Sequence, residues 1–274
     1  MEKPFWHTIR ENKYTFPAGH DLAALTEDLF SYLSSTDPEL RDKIGYEIFA
    51  NWIETEPYSP GLLRDYIKRL TANLQVGIGE RDSDTVFLRA FSILVLAEII
   101  HRDNQQPFLQ SGEAINVFES VLAYLVPERD PRGYVAEKGW AHALAHTADA
   151  LMVLARSPYL DASALLRIPY AASAKMQNAI DWIYVHGEDD RLANAIVTAF
   201  ERDLLSVEQI QTWLVELTSD WKGAWTNEER SRAFFNVRNL MRAVHIRTMS
   251  SKKLPHQDEI QASLLETIRN FRPY

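Results

Sequence analysis

The run Gly139-Trp140-Ala141-His142-Ala143-Leu144-Ala145-His146-Thr147-Ala148-Asp149-Ala150 sets two imidazoles four residues apart and a carboxylate three further on, among small or apolar neighbours. Read as a helix, it puts His142, His146 and Asp149 on one stripe, with Ala141, Ala145, Ala148 and Met152 on the next. A helix apolar on its remaining faces is enclosed by others. Its polar line must then meet polar side chains, water or a ligand, because each unmet buried group costs ~1–3 kcal/mol. Three chemistries fit: a satisfied core network, a pocket for a ligand, or a divalent metal ion held by His142 and His146. A metal ion needs a third protein ligand, and Asp149 lies ~10 Å along the helix axis from His142, so another segment would have to supply it. The zincin pattern His-Glu-x-x-His is absent, since Ala143 stands where its glutamate belongs.

Just upstream, Glu128-Arg129-Asp130-Pro131-Arg132-Gly133-Tyr134 has the turn chemistry of Asp-Pro and Arg-Gly and leads directly into the histidine segment. Arg89, between Leu88 and Phe91 in the most apolar run of the chain, needs a counter-ion if buried; Glu128 and Asp130 are the candidates. Trp140 offers an apolar face, and Arg132 and Lys138 offer positive charge. With the N–H groups of a helix's first turn, these suit a carboxylate or phosphate. The competing reading is that Arg132 closes the turn by pairing with Glu128 or Asp130. The candidate ligand-binding residues are therefore Glu128, Asp130, Arg132, Trp140, His142, His146 and Asp149, with His142 and His146 as candidate metal ligands. No complete catalytic group is assembled, so a non-catalytic binding or scaffold protein, taking a protein or a small anion, is the first reading. A hydrolase with metal on His142 and His146, and Glu128, Asp130 or Asp149 as further ligand or base, is the second.

The elements that position these residues are helices. Asp37-Pro38 and Ser59-Pro60 set a capping residue before a proline at the first helical position, and Ser206 with Gln209 and Thr226 with Glu229 have capping-box spacing. Apolar residues return every three or four positions, as in Leu22, Leu25, Leu29 and Leu33. The pattern predicts helices near 4–11, 21–34, 38–54, 60–75, 83–102, 112–125, 137–156, 162–182, 188–203, 206–218, 227–248 and 256–271, with little or no sheet. Phe91, Ile93, Leu94, Leu96, Leu144, Leu151, Ile196 and Leu214 are expected in the core. Paired starts recur every 40 to 50 residues or so, the period of HEAT-type repeats. An all-α array of antiparallel helix pairs in one domain over 1–274 is expected, with a closed α/α toroid as the alternative.

Composition narrows the function classes. Hydrophobic residues make up 46% and charged residues 24%, ordinary globular usage. The absence of cysteine removes disulfides, thiolate metal sites and cysteine nucleophiles. The first twenty residues carry charges and prolines where a signal peptide is apolar, and Phe91 to Ile100 is too short to span a bilayer, so a cytoplasmic protein without a membrane segment is expected. The net charge of −9 opposes binding to nucleic acid and to anionic membranes. That charge divides unevenly, +4 from Asp220 onward and −13 before it. Arg238, Arg242 and His245 share a late helical face beside Lys252 and Lys253, which reads as a solvated basic face, with an anion contact as the alternative. Glu188, Asp189 and Asp190 suit the start of a helix.

The segments Glu128–Tyr134 and Lys138–Asp149 together resemble the hallmark of an uncharacterised bacterial family, domain of unknown function 2785. Leu40-Arg41-Asp42, Phe87-Leu88-Arg89-Ala90-Phe91-Ser92 and Glu188-Asp189-Asp190-Arg191-Leu192-Ala193 are similar to further segments of it, so the resemblance runs from about residue 20 to 215. Where the family's arginine segment reads Arg-Ser-Phe, this chain has Arg89-Ala90-Phe91. The resemblance implies a bacterial cytoplasmic protein and points at the same polar residues, and it implies no reaction.

Overall fold

The computed structural model describes residues 1–179 and 181–272, and these divide into two compact units, Met1–Ala150 and Leu151–Tyr274. The first unit holds α1 (Lys3–Glu11), α2 (Leu22–Tyr32), a π-helical stretch Glu39–Tyr46 running straight into α3 (Glu47–Thr55), then α4 (Pro60–Asn73), α5 (Thr85–Gln105) and α6 (Ser111–Leu125). A two-strand hairpin follows, β1 (Tyr134–Val135) antiparallel to β2 (Gly139–Trp140), before α7 (Ala143–Ala155). The second unit contains α8 (Ala162–Gln177), α9 (Glu188–Phe200), α10 (Val207–Leu217), a short 3₁₀ turn, α11 (Glu228–Ser250) and α12 (Gln257–Asn270).

Local sequence explains most boundaries. Ser59 accepts a hydrogen bond from the Leu62 amide ahead of Pro60, and Ser206 and Gln209 form both halves of a capping box. The cap of α11 is one residue later than the sequence indicates, with Asn227 rather than Thr226 accepting from Arg230. In the first unit α5 is the central element, buried on nearly every face and packed by α3, α4 and the π-helical stretch. That is why its sequence shows an apolar run instead of a stripe. The eight residues expected in the core are all buried.

In the second unit α8, α10 and α12 lie side by side. Trp213 Nε1 donates to Ser173 Oγ and Gln177 to the Leu217 carbonyl, while Gln211 bonds Ser263 and Trp221 meets Phe271, so paired positions rise together and the three helices run parallel. α9 and α11 pack against each other and against α8, and α11 also against α12.

The expected helix over 137–156 does not form as drawn. It begins only at Ala143, because Glu137, Gly139 and His142 adopt left-handed φ values of 64°, 77° and 52° that a right-handed helix excludes. Among the described residues, the hairpin those angles create is the only sheet.

Candidate functional site

The segment from Glu128 to His146 lies in the first unit and is pinned by three arginines from different directions. Arg89, fully buried on α5, donates from Nε to Glu128 Oε2 at 2.6 Å and from Nη2 to Oε1 at 3.0 Å. Its Nη1 reaches the carbonyls of Val76 and Gly77 and the Thr85 hydroxyl, at 2.9, 3.0 and 2.9 Å. Glu128 also accepts from Tyr124 Oη at 2.8 Å and from the Asp130 amide at 2.9 Å. Two desolvated charges thus meet in a forked pair whose remaining polar atoms are used, the condition under which such a pair is tolerated inside a protein. Burial is the largest influence on Arg89 and acts downward, but hydrogen bonding and charge from Glu128 outweigh it and hold the guanidinium above its ordinary range. Burial, followed by the Glu128 charge, pushes the Tyr124 phenol well up.

The next turn repeats the arrangement on a smaller scale. Arg132 forms a fork onto Asp130, Nε to Oδ1 at 2.8 Å and Nη2 to Oδ2 at 2.6 Å, and Nη2 also donates to the Ser83 carbonyl. The hydrogen bond to Asp130 is the main reason its pKa is raised. Lys138 bonds both oxygens of Asp84, at 2.7 and 2.8 Å. The two cations offered by the sequence for an anionic ligand are therefore already neutralised by carboxylates.

Arg41 supplies the third pin, from the π-helical stretch. It is fully buried, its guanidinium lies 4.1 Å over the Phe87 ring and 4.8 Å from that of Phe91, and Nε pairs with Asp42 at 2.8 Å. Nη2 donates to the carbonyls of Lys138 and Trp140, and Nη1 to that of Ser35. Burial lowers the Arg41 pKa and raises that of Asp42, so desolvation outweighs the attraction between them. A Cβ on Gly139 would come within 2.9 Å of Pro38 and 3.3 Å of Arg41 Nη2, so only glycine lets the hairpin sit this close. In the sequence Arg41 stands out only through the resemblance carried by Leu40-Arg41-Asp42. Two of its partners, the Lys138 and Trp140 carbonyls, are about a hundred residues away, where no local pattern marks them.

On this base stands an aromatic column. In the hairpin Tyr134 pairs with Trp140, their rings 5.1 Å apart edge to face, and the two remain 57% and 41% exposed. Trp140 stacks on His142 at 4.2 Å with 24° between the planes. His142 is buried and precedes α7, its carbonyl accepting the His146 amide at 2.9 Å. It therefore stands at the helix cap, not on the helical stripe that the spacing suggests. The two imidazoles meet edge to face at 5.9 Å, and His146 Nδ1 lies 3.0 Å from the Ala90 carbonyl, with Phe91 against its ring. Because a backbone carbonyl makes that contact, the alanine at position 90 does not disturb it. Asp149 is half-buried on α7. Among the described residues no group of three or more histidines, cysteines or carboxylates stands together as a metal-ligand set. None of the described helices is long and apolar enough to cross a membrane.

A family model described as a protein of unknown function, DUF2785, matches residues 74–246. That span contains Arg89, Glu128, the hairpin and both histidines. No curated protein and no solved structure matches the chain.

Proposed function

The chain belongs to that family, and from the geometry of the Glu128–His146 segment we propose that it is a non-catalytic binding protein that recognises a protein partner through Tyr134 and Trp140. One observation carries the reading: Arg89 of α5 and, within the segment, Glu128, Asp130, Arg132 and Lys138 are engaged with groups of the chain itself, while the rings of Tyr134 and Trp140 stand exposed on the backbone they hold, with Arg129 and Glu137 as the exposed charges beside them. Large aromatic side chains held on a pinned backbone bury much area at little cost in conformational freedom, which is how interface anchors work. A small anion would have to displace Asp130 from Arg132 or Asp84 from Lys138. A partner segment with an apolar or aromatic anchor displaces only water.

The parallel row of α8, α10 and α12, with α9 and α11 behind it, supports an array of helix pairs in the second unit, an architecture that carries partner surfaces. The metal-assisted alternative draws no support from His142 and His146, since one is a helix cap stacked beneath Trp140 and the other is engaged with the Ala90 carbonyl.

Panning a random peptide library on the wild-type protein, with counter-selection on Trp140→Ala, tests the proposal. Enriched peptides should carry aromatic or aliphatic anchors and lose about 2 kcal/mol or more of binding free energy to the variant. Enrichment of purely acidic peptides that bind both proteins equally would overturn it, and so would a failure to enrich any sequence.

A further inference from the structure

A second surface, in the unit that does not contain the hairpin, is left open along α11. That helix buries Phe234, Val237, Met241 and Val244 on one side. On the other, Phe235, Asn239, Arg242, Ile246 and Met249 follow one another at steps of four, three, four and three residues, a seam about 21 Å long. Ile246 and Met249 are 59% and 52% exposed, and Trp225, 60% exposed, stands 6.1 Å from the Phe235 ring and widens the other end. Between the two apolar ends lie cations. The Arg238 guanidinium is held 4.6 Å over Phe235, and Arg242 is exposed in the next turn.

Arg242, Arg247, Lys252 and Lys253 make no ion pair among the described residues, in a chain whose net charge is −9. Arg247 in the last turn, and the two lysines just beyond it, are accounted for by the negative end of the helix. Arg242 is two turns away from that end and has no such reason. A seam of helical period with apolar ends and a cationic middle fits a helix of the opposite charge pattern. It does not fit itself: an antiparallel pairing of two α11 seams centres on Arg242 and sets it against Arg242 of the second copy, and a parallel pairing also opposes like charges.

We infer that the outer face of α11 is a docking site for an acidic amphipathic helix of a protein partner, with apolar residues gripping Phe235 at one end and Ile246 and Met249 at the other, and carboxylates over Arg242. The test uses the full chain and two labelled 18-residue synthetic helices that share leucines at the outer seam positions. One carries glutamates at the two central seam positions and the other lysines there. Fluorescence anisotropy should show saturable binding of the glutamate peptide, weakened at least tenfold in Arg242→Glu and in Ile246→Asp, both exposed positions whose variants keep the wild-type circular dichroism. The lysine peptide should bind only Arg242→Glu. Equal binding of both peptides to wild type, indifference to Arg242→Glu, or no saturable binding of the glutamate peptide would each overturn the inference. A concentration-dependent dimer abolished by Ile246→Asp would replace it with self-association. Sedimentation with phosphatidylcholine–phosphatidylserine vesicles in the absence of peptide binding would replace it with a lipid surface.

Discussion

Removing one member of a buried ion pair strands the other as a desolvated charge, so Arg89→Met or Glu128→Leu alone should cost about 3–5 kcal/mol. The double replacement should recover much of that loss, because no charge is then left unpaired. Urea midpoints of the three variants measure this, and single variants as stable as wild type would contradict the described fork. The pairing is legible in the sequence: an arginine inside an apolar run must find a carboxylate, and Glu128 stands among the few that precede the histidine segment. Asp130 takes Arg132 instead, which is the turn-closing alternative that the Asp-Pro-Arg-Gly chemistry allowed. Arg41 was not legible. Leu40, Asp42 and Lys43 around it read as the first turn of an ordinary helix, and the groups that justify its burial are the Lys138 and Trp140 carbonyls, 97 and 99 residues further on. The aromatic pair was half legible, since Trp140 stood out beside the histidines while the partner ring of Tyr134 depends on the strand register.

At the scale of elements, the periodicity located the helices, and the starts at Ser59-Pro60 and Ser206 followed the expected caps, whereas Pro38 itself precedes a π-helical stretch without a side-chain cap and Asn227 replaces Thr226. The largest departure is the start of α7, where His142 and His146 have helical spacing but the backbone turns left-handed at Gly139 and His142. Two ties explain it: Arg41 Nη2 donates to the Trp140 carbonyl, and the His142 amide donates to the Arg132 carbonyl. The first turn of α9 gives a pH prediction. Glu188 accepts from the His186 amide but is buried, and burial is the largest cause of its raised pKa. A carboxyl whose folded pKa lies above its unfolded value contributes stability that is complete below the ordinary value of 4.5 and lost as pH rises through the folded value. At neutral pH Glu188 therefore weighs against the fold. Glu188→Gln should raise the urea midpoint at pH 7, with the gap over wild type closing toward pH 4. A gap that widens in acid would contradict burial as the dominant cause.

Over the whole molecule, few glycines, regular capping signals and three-to-four spacing were enough to read an all-α chain, and among the described residues the elements are helices joined by loops, with one hairpin of two two-residue strands. Which helices would stand side by side was not readable, because no repeated motif marks the row of α8, α10 and α12; it is set by matched side chains such as Trp213 on Ser173. The uneven charge and a basic face on the late helix were readable in the sequence; that Phe235, Ile246 and Met249 share the open side of α11 with Arg242, while His245 is half-buried, follows from the burial pattern of that helix. The recognition surface proposed at the hairpin is a pair of exposed aromatic rings on a backbone held by Arg41, with Lys138 paired to Asp84. Its most direct test compares wild type with the Tyr134→Ala/Trp140→Ala double variant by quantitative affinity mass spectrometry from an extract of the source cells, with thermal melting of both proteins as the control for folding. Equal melting temperatures together with proteins retained by wild type and lost from the double variant are the expected result; equal melting with the same proteins retained by both would contradict it.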